Sequence, residues 1–280
     1  MGNLPVSRVV PLPPFAITGV DYAGPFLIKQ GGRRLTLVKA YVAVFVCMTT
    51  KAVHLEVVSD LSTGAFLASL KRFIGRTNFR GAHHELNEMF QQFRNAPEFG
   101  GLWEAAVKSA KTHLKRIIGN VRLTFEELTT VMVEIEAVMN SRPHFSVSND
   151  PADPTVITPA HYLIGRPLTA IPEPSLEDIK ATRLTRLQHL QLLREHFWRA
   201  WSRDYLNTLQ PRKKILRATP KIRNNMIVLL HDRNQPPLNW KLGRITTVYP
   251  GDDGLVRTVD VMVGGSVFRR PINKISVLPI

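Results

Sequence analysis

The chain has 280 residues, 44% of them hydrophobic, which is enough to bury a sizeable core in one or two domains. Lys and Arg number 37 against 22 Asp and Glu, and the resulting net charge of +15 points to a polyanionic partner, nucleic acid first and an anionic membrane surface second. No stretch is apolar for long enough to cross a bilayer, the start lacks a signal-peptide layout, and the lone Cys47 excludes an internal disulfide or a paired-cysteine zinc site, so an intracellular protein is expected.

The first 14 residues are Pro-rich and read as an extended lead-in. A strand is predicted over residues 15–26, stopped by Gly24-Pro25, and Gln30-Gly31-Gly32-Arg33 has the composition of a hairpin turn. Residues 35–50 are rich in β-branched and aromatic side chains, as a long buried strand should be, and 52–59 form a third strand, so this part reads as a three-stranded antiparallel meander. Within it Cys47 and His54 read as structural. Asp60 is placed to cap a helix over 63–74 with Phe66, Leu70 and Phe73 inward, and a short helix over 83–93 follows.

Gly100-Gly101 then opens a helix in which Trp103, Val107, Ala110, Leu114 and Ile117 make one apolar stripe. On another face Glu104 leads a row of Lys108, Lys111 and Lys115 at helical spacing. That face is either a solvated surface with one helpful Glu–Lys pair or a metal-ligating carboxylate beside a track for a phosphate backbone. Thr124 and Glu127 form a capping box for a further helix in which Leu128, Val131, Met132, Ile135, Val138 and Met139 repeat at three and four, and this helix is expected to pack along the Glu104 helix.

Residues 143–174 are dominated by prolines and turn formers and read as a long ordered linker. A basic amphipathic helix is predicted over 184–209, with Leu187, Leu190, Leu193, Phe197 and Trp201 on one side, and the charge cluster Arg212-Lys213-Lys214 follows it. Short strands separated by Gly, Pro and Asp turns then suggest a small antiparallel barrel.

Four strings carry a family resemblance. Gly100-Gly101-Leu102-Trp103-Glu104-Ala105-Ala106-Val107-Lys108-Ser109-Ala110-Lys111, Arg122-Leu123-Thr124-Phe125-Glu126-Glu127-Leu128, Asn140-Ser141-Arg142-Pro143 and Thr158-Pro159-Ala160-His161-Tyr162-Leu163-Ile164-Gly165-Arg166-Pro167-Leu168 resemble, in that order, the integrase region of BEL/Pao-type LTR retrotransposon polyproteins. The resemblance implies an α/β (α+β mixed) chain with an RNase H-like core over 15–142, a linker and basic helix over 143–220 and an SH3-like barrel over 221–280. It also implies three carboxylates around two divalent ions, Mg²⁺ or Mn²⁺, of which Asp21 is the first and Glu104 the third. The family pattern for the second ends Asp-Asn-Gly-Thr-Asn-Phe; aligned on Thr77-Asn78-Phe79, its Asp position holds Ile74. Residues 94–101 are too few for a strand that the family places there, so a degenerate core lacking two strands and one catalytic acid is expected. Asp60, Glu85 and Glu98 are nearby acids with ordinary local roles. The family's upstream His/Cys zinc module has no counterpart in the sequence, which therefore reads as a piece of a longer polyprotein.

The reading is a retrotransposon-derived, integrase-like nuclear protein that binds DNA without base specificity and without catalysis, with no membrane partner. The candidate phosphate contacts are Lys108, Lys111, Lys115, Arg116, Arg212, Lys213, Lys214, Arg269 and Arg270. Two alternatives stay open: an active metal-dependent strand-transferase with a rearranged site, and a protein-binding adaptor or homo-oligomerisation module.

Overall fold

The computed structural model describes residues 12–31, 36–77, 101–147, 155–176, 179–180, 183–210, 222–232 and 234–278, with the backbone alone for 101–107. The start of the expected lead-in, the hairpin tip at 32–35, the short helix at 83–93 and the cluster Arg212, Lys213 and Lys214 lie outside the described residues. The described part is a mixed α/β structure with antiparallel sheets and five α-helices among the described residues.

Strands β1 (Thr18–Gln30), β2 (Thr36–Cys47) and β3 (Val53–Val58) pair antiparallel in that order, as the meander predicts. Successive residues of a strand face opposite sides, and β2 is apolar on both: Ala40, Val42, Val44 and Val46 enter one core, Ala43, Phe45 and Cys47 another. A strand covered on both faces reads as an unbroken apolar run, which is why 35–50 stands out in the sequence. Gly24-Pro25 does not stop β1. The pair forms a bulge between Ala23 and Phe26, after which pairing resumes at Phe26 opposite Ala40. Among the described strands β1 is at the sheet edge, where a residue lacking an N–H costs no ladder bond.

Helix α1 (Thr63–Thr77) covers the second face, with Leu70 and Phe73 buried and the Phe73 ring stacked on Phe45 at 4.4 Å. Its cap differs from the expectation. Ser62 Oγ accepts the Ala65 N–H at 3.2 Å, and Asp60 acts one step removed by accepting the Ser62 N–H at 2.8 Å. Cys47 is packing, as expected, and its sulfur accepts the N–H groups of Phe15 and Thr50.

The first face is covered by α2 (Gly101–Ile118) and α3 (Phe125–Asn140). Thr124 and Glu127 make the predicted capping box, and all six predicted core residues of α3 are buried. The α2 stripe is turned slightly, so that Ile118 is buried at 2% exposure and Ile117 only partly. The two helices do not pair chiefly with each other: α2 lies on β1, α3 on β3 and β1, and both lean on a longer helix further along the chain.

Residues 143–176 hold a two-stranded ladder, β4 (Phe145–Ser146) with β5 (Val156–Ile157), and helix α4 (Pro159–Ile164). The long helix α5 (Arg186–Leu209) follows. It is no spacer, because Leu190, Leu193, Phe197, Trp198 and Trp201 enter the same core as the first sheet face. Leu187, expected inward, is 73% exposed: it lies in the first turn, before the helix meets the core.

Strands β6 (Ile227–Leu230), β7 (Leu242–Pro250), β8 (Val256–Val263), β9 (Ser266–Pro271) and β10 (Ile275–Val277) form one antiparallel sheet in the order β10-β6-β7-β8-β9. Val228, Leu230, Ile245, Val259, Val261 and Ile275 are its core. Gly243 permits close strand contact, since a Cβ there would lie 2.5 Å from Val261. The sheet docks on α5 through aromatic side chains. Trp240 lies 4.7 Å from Trp198 and 5.5 Å from Tyr205, ring centre to ring centre, and Ser276 Oγ donates to the Leu206 carbonyl at 2.8 Å.

Candidate nucleic-acid interface and carboxylate site

Asp21 is the fourth residue of β1, opposite Val44, with the side-chain parity of Ala23, so it faces the layer that contains α2. Its Oδ1 accepts the Tyr22 N–H at 2.7 Å and its Oδ2 is ion-paired with the Lys111 ammonium. The strand and α2 are joined at this point by Lys111, seven residues beyond Glu104 along the helix. The Glu104 side chain lies outside the described residues.

Ile74, at the aligned position of the second acid, is in the last turns of α1 and packs partly buried against the apolar cluster of Phe45 and Phe73. Among the described residues no three His, Cys, Asp or Glu side chains converge on a point where they could hold a metal ion. A pair of divalent ions needs several oxygen ligands each. Asp21, with one oxygen bound by Lys111, faces the α2 layer, while Ile74 lies with α1 against the opposite face of the sheet, so these residues do not fit that group.

The basic candidates divide by their partners. Lys108, Lys115 and Arg116 are exposed along α2 and are joined to no carboxylate among the described residues. His113 of the same helix is buried and meets Asp204 of α5, with Nε2 2.7 Å from Oδ2. Lys111 is committed to Asp21. Arg269 binds Asp260 Oδ1 at 2.9 Å and the Tyr249 hydroxyl at 2.7 Å and lies over the Tyr249 ring, so its charge is internally balanced; Arg270 lies over Phe268 on the exposed strand β9.

Two constellations were not evident as such in the sequence. The first is on β3, where all six residues are buried. His54 lies between two acids, with Nδ1 3.2 Å from Glu136 Oε1 and Nε2 3.2 Å from Glu56 Oε1. Arg72 and Arg76 reach Glu56 from α1 at 2.7 and 2.5 Å. Burial alone would lower the His54 pKa, but hydrogen bonds and charge from Glu136 and Glu56 outweigh it and hold the pKa at about 9. Burial works the other way on Glu56, and the His54 and Arg72 hydrogen bonds together with both arginine charges leave its pKa lowered. The visible signal is His-x-Glu in an otherwise apolar strand.

The second constellation is Asn140-Ser141-Arg142-Pro143, at the C-terminal end of α3. Asn140 accepts the Val53 N–H at 2.8 Å and donates to the Val53 carbonyl at 2.7 Å, so a side chain pairs with the β3 edge as a strand would. Ser141 Oγ accepts from Trp240 Nε1 at 3.0 Å, Arg142 donates to the carbonyls of Lys51 and Met139, and the Pro143 carbonyl accepts from Tyr205. The string thus joins the first sheet, α3, α5 and the C-terminal sheet. Its one hint in the sequence is a polar run directly after an apolar helix.

Residues 185–278 match the model of a family described as a family of unknown function (DUF5641). The match opens at Thr185, the N-cap of α5, and closes at Leu278, just past β10, so it spans the helix and the five-stranded sheet of this chain. No curated protein matches the chain.

Proposed function

We propose that this chain is an integrase-like nucleic-acid-binding protein, related to the BEL/Pao retroelement integrases, that grips the phosphate backbone and does not carry out strand transfer. The observation that carries the proposal is the exposed row Lys108, Lys115 and Arg116 on α2 in a chain of net charge +15. Such a surface releases counterions from a polyanion and discriminates little between base sequences. Arg270, on the exposed β9, is a further contact.

The RNase H-like reading is supported by the β1-β2-β3 meander with Asp21 on β1 joined to α2, and the SH3-like reading by the order β10-β6-β7-β8-β9. The proposed loss of catalysis is supported by Ile74 in its apolar cluster and by the Asp21–Lys111 pair. A nuclear location follows if the partner is chromosomal DNA.

Filter binding of labelled duplex DNA at low salt tests the reading. Retention that falls steeply with salt is expected. Replacing Lys108, Lys115 and Arg116 by Gln should flatten the slope of log affinity against log salt by about 2.7, one phosphate contact per side chain. No retention at low salt refutes the binding, and joining of DNA ends in Mn²⁺ that vanishes in Glu104→Gln refutes the inactivity.

A further inference from the structure

Asp21 combines two features that do not ordinarily go together. Asp is disfavoured inside a strand; the Asp21 side chain is 41% exposed, and both its oxygens are engaged, one by the Tyr22 N–H and one by Lys111. Lys111 belongs to the lysine row of α2, yet it is only 25% exposed, and its ammonium turns inward to β1 while Lys108 and Lys115 face solvent. A dication would have to displace the ammonium that already holds this carboxylate. We propose that Lys111 is the resident counter-ion of Asp21, taking the carboxylate that a divalent cation would need, so that the pair fastens α2 to β1 and leaves the protein indifferent to Mg²⁺ and Mn²⁺.

The inference does not depend on nucleic-acid binding, and its test uses none. The full chain is compared with Asp21→Asn, Lys111→Met and the double variant by urea unfolding, with and without millimolar Mn²⁺. Each single change should raise the unfolding constant about three-fold, and the double should cost no more than the worse single, the coupling expected of a half-exposed ion pair. Exchanging the charges, Asp21→Lys with Lys111→Asp, should recover most of what either reversal alone loses, which a merely bulky or misfolded variant would not do. Mn²⁺ should leave the wild-type midpoint unchanged. Additive single effects, or a wild-type midpoint that Mn²⁺ raises and Asp21→Asn abolishes, would overturn the proposal.

Discussion

Glu56 and Asp260 are built from the same parts and behave differently. Each carboxylate lies on a strand and gathers arginine with one further hydrogen-bonding side chain: Arg72, Arg76 and His54 around Glu56, Arg269 and Tyr249 around Asp260. Glu56 is 5% exposed, under α1 and beside α3, whereas the Asp260 group lies on the open side of the C-terminal sheet. The Coulombic attraction is weak against water and strong away from it, but so is the penalty for leaving one member alone. The buried group is therefore a determinant of the fold and the exposed one a surface ornament that organises an arginine.

Breaking the buried group should have the largest effect. Glu56→Gln leaves the His54 imidazolium and two guanidinium groups short of a counter-charge, and should lower stability by about 3–5 kcal/mol in urea unfolding. The pH profile sharpens the same point. Because the folded pKa of His54, about 9, exceeds its ordinary 6.5, its contribution is complete below about pH 6.5 and is lost as pH rises through about 9, a swing on the order of 3 kcal/mol. Glu56 has the opposite sign: its contribution is present above its ordinary value of 4.5 and is lost as pH falls through its lowered folded pKa. Maximum stability should lie between about pH 4.5 and 6.5, and His54→Gln should flatten the alkaline limb.

Next comes Asn140→Ala, which strands the N–H and carbonyl of Val53 on a buried edge and should cost about 2 kcal/mol, with faster amide exchange confined to β3. The smallest effect belongs to the exposed group. Asp260→Asn should leave the unfolding midpoint where it is, while freeing Arg269 for solution anions and steepening the salt dependence of DNA retention by about one contact. A large loss of stability in this variant would erase the distinction between the two clusters.

Local signals carried much of this architecture. The Thr124–Glu127 capping box and the six apolar positions of α3 are contained within sixteen consecutive residues, so spacing alone reveals them. The long apolar run of β2 was legible for the same reason. Gly24-Pro25 was misread because its effect depends on whether the strand has a neighbour on that side. Leu187 was misread because amphipathic periodicity shows which residues share a helix side but not where along the helix the core begins.

The candidate site divides along the same line. Residue identities alone showed a basic chain, an acid in a strand and an acid leading a lysine row; the family resemblance added the expectation of a second acid, at whose aligned position Ile74 stands. Tertiary structure decided that Lys111 turns to Asp21, that Arg269 is neutralised by Asp260, that Asn140 closes the β3 edge from 87 residues away and that α5 is core. Spacing along a chain determines which side chains share a face; which partner lies opposite that face, and whether water comes between them, is determined only when distant segments pack.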